Sequence, residues 1–274
     1  MSVAPAQVGY LGFTYTMGTN FMDYLIADRI VIPKDKQKYY SEKIAYLPDC
    51  YMVNDTKITI SNKVLTKKDV GLPSDSFVFC CFNNYFKINP IVFSSWMTIL
   101  SKVNDSILWL PEGNKIAMNN LKREAEKHGI DKKRLFFAPR LNLKEDHLKR
   151  IQLADLFIDT FPFNAHTTCS DALRVGLPVL TYKGDSYTSR VASSLIASVN
   201  LPEMITTSQK DYESTAIELA EDSAKLNNIR AKLAKNKLTS SLYKPQLFTK
   251  HIEAIYLDIY NTSQKKIDFD HIYL

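Results

Sequence analysis

The chain has 274 residues, of which 45% are hydrophobic, and its 35 Lys and Arg residues against 29 Asp and Glu residues give a net charge of +6. This length and composition are those of a globular protein that can bury a sizeable core, as one large domain or two small ones. The positive charge is spread along the chain, so it is compatible with anionic ligands but does not indicate a nucleic acid partner.

The sequence also bears on the compartment. No uninterrupted apolar run approaches the roughly 20 residues that span a bilayer, and the N-terminus lacks a basic region followed by an apolar core. The cysteines, none in CxxC or Cys/His ligand spacing, are Cys50, Cys80, Cys81 and Cys169. We therefore predict a soluble cytoplasmic protein with reduced, buried thiols, no zinc site and no membrane span.

Residues 1–70 contain two short runs that are typical of β-strands, MDYLIA at 22–27 and RIVIP at 29–33. A polar stretch and the connector KVLTKKDVGLPSD at 63–75 follow them. These residues are too few for a complete domain, so we predict a partial lobe that packs as an appendage on the rest of the chain.

From residue 77 onward, short apolar runs alternate with amphipathic segments of helical length, which is the pattern of βαβ units in a parallel sheet. The predicted strands are FVFCCF (77–82), SILWL (106–110), RLFFAP (134–139), DLFIDT (155–160) and PVLTY (178–182). The predicted helices are 90–103, 114–129, 144–154, 186–199, 211–237 and 248–262. The sequence thus predicts an α/β fold with a Rossmann-like lobe at 71–264, helices on both faces of its sheet, and a tail at 265–274.

Polar side chains follow the predicted strand that ends at Thr160. The next loop leads into a helix, and a loop of this kind places free backbone N–H groups and a positive dipole end beyond the strand. His166, Thr167 and Thr168 can therefore present an imidazole, two hydroxyls and backbone amides to a phosphate. The alternative is that a Thr only caps the helix. Thr168 and Asp171 also have the spacing of a capping box, in which Asp171 binds a backbone amide instead of a ribose diol.

Two further polar clusters follow other predicted strands. Lys144, His147 and Arg150 recur every three residues at the start of a helix and so share a face that suits a nucleoside; the alternative is a solvated polar face. Asn84 and Lys87 follow FVFCCF, where a lysine can neutralise a leaving diphosphate or simply lie at the surface. Three such loops at the carboxyl ends of strands together indicate a nucleotide-diphosphate pocket.

The sequence lacks the motifs of other nucleotide-binding classes. No GxGxxG follows a strand, no GxxxxGK[ST] occurs, and no Asp-x-Asp pair stands at a predicted strand end to hold a metal on a diphosphate. We therefore expect a metal-free pocket with no cofactor, in which lysine, threonine hydroxyls and backbone amides carry the charge of the ligand.

Taken in chain order, these residues resemble the catalytic C-terminal region of the O-linked N-acetylglucosamine transferase family, with its SPINDLY-like and bacterial members. The resemblance covers nearly the whole chain and runs through LGFTYTMGTNFMDYLIAD, YSEKIAYLPDCY, CFNNYFKINP, SILWL, KEDHLKR, LADLFIDT, HTTCSDALRVGLPVLT and SRVASSL. It implies a GT-B-type glycosyltransferase fold, with two Rossmann-like lobes and the nucleotide sugar held mainly by the C-terminal lobe. It also implies an inverting, metal-independent transfer of N-acetylglucosamine from UDP-GlcNAc to Ser or Thr of an acceptor protein.

The resemblance further implies a role for each residue of the three clusters. The implied contacts are Lys87 and Asn84 with the departing UDP, Lys144 with the nucleoside, His147 and Arg150 near the base, His166, Thr167 and Thr168 with the phosphates, and Asp171 with the ribose. No residue is implied as the general base.

The chain departs from the family pattern at three places. Animal transferases carry Gln at the position of Asn84. An Asn there is closer to the bacterial and the SPINDLY-like members, and the latter use GDP-fucose, so the identity of the donor stays open. Thr14–Met17 replace a common Pro-Gly-Thr-Ser segment, so the sugar pocket is expected to differ. The upstream part of the N-terminal lobe and the tetratricopeptide repeats of the family have no counterpart in this sequence, so we expect either a truncated or split catalytic region or one whose missing half is supplied by another chain. The alternatives are a non-catalytic nucleotide-sugar-binding module and an enzyme acting on UDP-sugars, such as an epimerase.

Overall fold

The computed structural model describes residues 4–12 and 15–274 of the chain. Two parallel β-sheets form its framework. The smaller sheet consists, from edge to edge, of β1 (Val8–Gly9), β2 (Tyr24–Asp28), β3 (Lys43–Leu47) and β10 (Ile272–Tyr273). β2 and β3 pair along their whole length, from Tyr24 opposite Lys43 to Asp28 opposite Leu47.

The larger sheet contains all five strands that the apolar runs predicted, together with a short edge strand. From edge to edge it consists of β6 (Leu135–Ala138), β5 (Ser106–Pro111), β4 (Phe77–Cys80), β7 (Leu156–Ile158), β8 (Val179–Tyr182) and β9 (Ile205–Thr206). The chain runs outward from β4 to β6, crosses back to β7 and runs outward again to β9. The order of the strands therefore reverses between β4 and β7.

Eight α-helices connect and follow these strands in the described part of the chain. They are α1 (Pro90–Lys102), α2 (Lys115–Lys127), α3 (Lys144–Ile151), α4 (Thr167–Arg174), α5 (Val191–Ser198), α6 (Gln209–Glu221), α7 (Ser223–Lys237) and α8 (Pro245–Gln264). No helix within residues 4–12 and 15–274 is both long enough and apolar enough to cross a membrane.

Local capping explains where several helices begin and end. Asn89 caps α1, because its side-chain oxygen accepts hydrogen bonds from the amides of Ile91 and Val92. The segment 211–237, predicted as one continuous helix, is divided at Asp222. This residue ends α6, and its carboxylate accepts from the amide of Lys225 to cap α7.

The smaller sheet is covered on both faces, as buried parallel sheets are. Successive side chains of a strand point to opposite faces. One set joins the main core that continues into the larger lobe, and it includes Leu25, Ala27, Ile44 and Tyr46. The other set packs with Ile255 and Ile259 of α8 and Ile272 of β10, and it includes Tyr24, Ile26, Ala45 and Leu47. The first 70 residues thus share a core with the larger lobe, and they also build a sheet with the C-terminal elements.

Two short segments differ from the sequence prediction. The run 29–33 is a turn and not a strand, because the Asp28 carboxylate accepts from the amides of Ile30 and Val31 and bends the chain after β2. The next strand along the chain is instead β3, which pairs with β2. The tail 265–274 contains β10, which pairs with β3 and stacks Tyr273 on Tyr46 at 5.0 Å between ring centroids.

Candidate functional site

The predicted clusters lie at the point where the strand order of the larger sheet reverses, between β4 and β7. In open parallel sheets this position forms a crevice beyond the carboxyl ends of the strands, and ligands bind there. The loop after β4 carries Asn84 and Lys87, and the loop after β7 leads to His166. The loop after β6 leads to Lys144, at the start of the helix that crosses back to β7.

A buried hydrogen-bond network ties the loops after β4 and β7 together. The Asn83 side-chain amide donates to Asp159 Oδ1 at 3.1 Å and to Thr160 Oγ1 at 2.7 Å. Asp159 is completely buried, and it also accepts from the amides of Thr160 and Ala165 and from the Thr181 hydroxyl. Burial raises the pKa of the Asp159 carboxyl to about 6, although these hydrogen bonds oppose the shift. This network fixes the relative position of the two loops.

Lys87 bridges the same two loops from the surface of the crevice. Its Nζ donates to the backbone oxygen of Asn164 at 2.7 Å and lies 4.1 Å from the centroid of the Phe163 ring. Burial lowers the pKa of the ammonium group, and the nearby Asp159 carboxyl counteracts this effect. The result is a partly buried cation at a fixed position, which suits an anionic ligand.

His166 and Thr167 stand at the beginning of α4. His166 is the N-cap residue, no side chain of the described residues caps the helix, and Thr167 is exposed at the first helical position. The first amides of the helix are therefore available to an anion. Desolvation and the charge of Lys87 lower the pKa of His166 to about 4, so the imidazole is neutral at physiological pH.

Thr168 and Asp171 do not form the capping box that their spacing allowed. The Thr168 hydroxyl donates to the Asn83 side-chain oxygen, and Asp171 forms an ion pair with Lys144 at 3.0 Å. Thr168 lies one residue inside α4, so neither side chain is placed to cap the helix. These two contacts connect α4 with the loop after β4 and with the start of α3.

His147 and Arg150 lie on the same side of α3, three residues apart. Nδ1 of His147 is 2.9 Å from a terminal nitrogen of Arg150, whose guanidinium packs 5.7 Å from the Phe82 ring and 5.9 Å from the Trp109 ring. Arg150 is buried, which excludes the alternative of a solvated face for this residue. It also lines a cavity of about 330 Å³. The other lining residues are Lys63, Leu65, Asp69, Val70, Trp109, Pro139, Leu141 and Asp146.

The environment of His147 predicts a dependence of stability on pH. Burial, followed by the charge of Arg150, lowers the pKa of His147 to about 4. Between pH 4 and 6.5 the unfolded chain therefore binds more protons than the folded chain, so stability rises with pH across this interval and is lost on acidification. We expect His147→Gln to reduce this gain in the free energy of unfolding. The upper limit of the reduction is about 3 kcal/mol, and the reduction is smaller than this limit because the ring is partly exposed. Urea unfolding of both proteins at pH 4.5 and 6.5 measures the difference, and an unchanged slope would contradict it.

The structure thus places the nine predicted residues on the loops and helices around the crevice, and side-chain contacts link Thr168 with Asn83, Asp171 with Lys144 and His147 with Arg150. Asn84 is exposed, and its side chain accepts a bond from the amide of Phe86 at 3.4 Å, within its own loop. The predicted difference at Thr14–Met17 lies partly outside the described residues, because these exclude Thr14.

The sequence did not lead us to Asp159 and Asn164, which hold the loops, or to Tyr51, which contacts His166 from a distant segment. Asp159 could have been identified as a candidate, because it is an acidic residue directly after the apolar strand β7.

All four cysteines are free and buried, as predicted. In the described ranges, no three His, Cys, Asp or Glu side chains are grouped as metal ligands would be.

Comparisons with known proteins agree with this architecture. The sequence model of glycosyl transferase family 41 matches residues 1–62 and 56–252. A probable UDP-N-acetylglucosamine--peptide N-acetylglucosaminyltransferase SEC from Arabidopsis thaliana is 35% identical over 267 residues, which are 95% of this chain and 27% of that protein. A probable transferase of the same description named SPINDLY, from Solanum lycopersicum, is 30% identical and matches 92% of this chain and 27% of its own length.

A solved structure of a mutant O-GlcNAc transferase from Thermobaculum terrenum matches with a TM-score of 0.86 and 26% sequence identity. The match covers 96% of this chain and 50% of that one. It confirms the expected α/β architecture of GT-B type. The chain spans about a quarter of the length of the two plant relatives, 27% in each case.

Proposed function

The chain belongs to glycosyl transferase family 41, and on this premise we propose that it is the catalytic region of a protein O-glycosyltransferase. The proposed reaction transfers N-acetylglucosamine from UDP-GlcNAc to a Ser or Thr hydroxyl of an acceptor protein, with inversion at the sugar carbon. The observation that carries the proposal is the convergence of three polar clusters at the crevice between β4 and β7. Their chemistry matches the phosphate, ribose and base of one nucleotide.

The donor is proposed to lie across the carboxyl ends of β4, β7 and β6. His166, Thr167 and Thr168 bind the phosphates at the start of α4, where backbone amides are free. Asp171 accepts hydrogen bonds from the ribose, and Lys144, which pairs with it, contacts the nucleoside. The base lies near His147 and Arg150.

In the proposed reaction the acceptor oxygen forms a bond to the sugar carbon while the bond from that carbon to the β-phosphate oxygen breaks. The electron pair of the broken bond stays on UDP, so negative charge develops on the leaving group. Lys87 lies at the crevice as a partly buried cation and can stabilise this charge without a metal ion. We assign no residue as the base that removes the hydroxyl proton. The four unpaired thiols support a reducing compartment, and we propose that the enzyme acts in the cytoplasm.

Titrations with UDP and GDP test the donor part of this proposal. We expect the purified chain to bind UDP more tightly than GDP, and to hydrolyse UDP-GlcNAc or transfer its sugar to an acceptor protein. Preference for GDP would instead support a fucosyltransferase of the SPINDLY type. Binding of UDP-GlcNAc without turnover, alone and with an added partner chain, would support a non-catalytic or split nucleotide-sugar-binding module.

The ribose contact gives a second prediction. We expect Asp171→Asn to weaken UDP binding about tenfold, because a charge-assisted hydrogen bond contributes roughly 1.5 kcal/mol or more. The matched control is Asp185→Asn, since Asp185 is exposed and pairs at 3.1 Å with Lys36, which belongs to none of the three clusters. Isothermal titration calorimetry measures both variants. Equal affinities of the two variants would remove Asp171 from the proposed site.

A further inference from the structure

Tyr51 approaches the crevice from the segment that follows β3, although it is distant in sequence from the three polar clusters. Its side chain is fully buried. Its amide donates to Asp28 Oδ2 at 2.7 Å, and its carbonyl accepts from the Tyr10 hydroxyl at 3.0 Å. Its ring packs edge-on against Tyr187, with 5.8 Å between centroids. Tyr51 is therefore held at both backbone and ring, and its hydroxyl has a fixed position.

That hydroxyl lies 3.3 Å from Nδ1 of His166. The two rings are nearly perpendicular, with centroids 6.1 Å apart, and Phe163 contacts the imidazole edge-on at 5.9 Å. The imidazole is thus positioned by two aromatic rings and one hydroxyl. Its other nitrogen, Nε2, is buried and has no hydrogen-bond partner among the described residues.

Two tautomers of a neutral imidazole fit this contact, and they leave different groups unsatisfied. If Nδ1 carries the proton, Nδ1 donates to the Tyr51 oxygen. The hydroxyl proton of Tyr51 then has no acceptor, because within residues 4–12 and 15–274 this hydroxyl bonds only to His166. If Tyr51 donates to Nδ1, the tyrosine is satisfied and only the N–H at Nε2 lacks a partner. Because an unpaired buried donor is costly, this second arrangement is suited to a ligand that brings an acceptor.

The surroundings of His166 favour a neutral imidazole, which both tautomers share. Lys87 supplies a positive charge that disfavours a second cation on the imidazole, and burial acts in the same direction. A neutral ring that donates from Nε2 can bind an anionic oxygen without the desolvation cost of a buried charge. Among ligands for a crevice with a lysine and an uncapped helix start, a phosphate oxygen matches best.

We propose that Tyr51 is a positioning residue that holds neutral His166 in the tautomer protonated at Nε2, so that the imidazole donates a hydrogen bond to a phosphate oxygen of the donor. Tyr51 itself does not touch the ligand. The inference rests on the proposed function for the identity of the ligand, whereas the tautomer is a property of the protein alone.

Nitrogen-15 NMR of histidine-labelled protein tests the tautomer without a ligand. The chain has five histidines, and the signals of His166 are assigned by their loss in His166→Gln. We expect Nδ1 of His166 to be the unprotonated nitrogen in the wild-type protein, and Tyr51→Phe to give a mixture of both tautomers. Predominance of the Nδ1-protonated form in the wild type would overturn the proposal, and this measurement requires no folded variant of Tyr51.

Titration with UDP tests the consequence for binding. Loss of one neutral hydrogen bond that orients a ligand group corresponds to roughly a fivefold weaker UDP affinity in Tyr51→Phe. The control is Tyr187→Phe, which removes a neighbouring buried hydroxyl and should keep both the wild-type tautomer and the wild-type affinity. Wild-type tautomer and affinity in Tyr51→Phe would refute the role of Tyr51. If the protein has the expected tautomer but does not bind UDP, the proposed function and the phosphate contact are wrong. The nitrogen-15 spectrum of Tyr51→Phe still decides whether Tyr51 sets the tautomer.

Discussion

Lys87→Met is expected to lower the rate of sugar transfer about 10²- to 10³-fold, with a much smaller loss of UDP affinity. Met has a similar length, so its side chain can still pack on the Phe163 ring, but it has no positive charge. The charge on the departing UDP develops mainly in the transition state, and the lysine therefore affects turnover more than binding. Release of UDP from UDP-GlcNAc in the presence of an acceptor protein gives the rate, and calorimetry gives the affinity.

Lys122→Met is the matched control for this variant. Lys122 also lies over an aromatic ring, that of Phe137 at 5.4 Å, but on α2 outside the crevice. Its replacement should leave turnover unchanged. If Lys87→Met retained turnover within about threefold of the wild type, the proposed stabilisation of the leaving group would be wrong, because loss of a single preorganised donor commonly costs about 10²-fold or more.

Asp159→Ala is expected to reduce the free energy of unfolding by about 3–5 kcal/mol. The substitution removes an acceptor shared by the Asn83 amide, the Thr181 hydroxyl and two backbone amides, all of them buried. Each buried donor left without a partner costs about 1–3 kcal/mol. The total is smaller than the sum over all four donors, because the Asn83 amide keeps its hydrogen bond to the Thr160 hydroxyl. A loss of this size is a large fraction of the roughly 5–15 kcal/mol that stabilises a domain.

Urea unfolding at neutral pH measures this effect. Asp185→Ala is the control, since this exposed carboxylate should contribute no more than about 0.5 kcal/mol. A loss below about 1 kcal/mol in Asp159→Ala would mean that the loops after β4 and β7 are not held together by the Asp159 network. In that case the crevice must owe its shape to other contacts.

The sequence by itself determined the larger lobe. Its apolar runs alternate with helical patterns at intervals that leave few other topologies, and the five predicted strands all occur. It also located the polar clusters, because a residue that follows a buried strand of a parallel sheet must lie at the same edge as the others. Strands and helices can be predicted from such local patterns, because hydrophobic periodicity and helix caps depend on residues that are close in the chain.

Only the tertiary structure decided how the clusters are joined. The partner of Lys144 is Asp171, and the partner of Thr168 is Asn83, both across tens of residues. It likewise decided that 29–33 is a turn, because the Asp28 carboxylate binds the two amides that a strand would have offered to a neighbour. The pairing of β10 with β3 and the contact of Tyr51 with His166 were not readable, because they join distant segments whose own patterns are too short or too mixed to identify a partner. The physical reason is common to these cases: local periodicity fixes which face of an element is buried, whereas long-range packing fixes what that face meets.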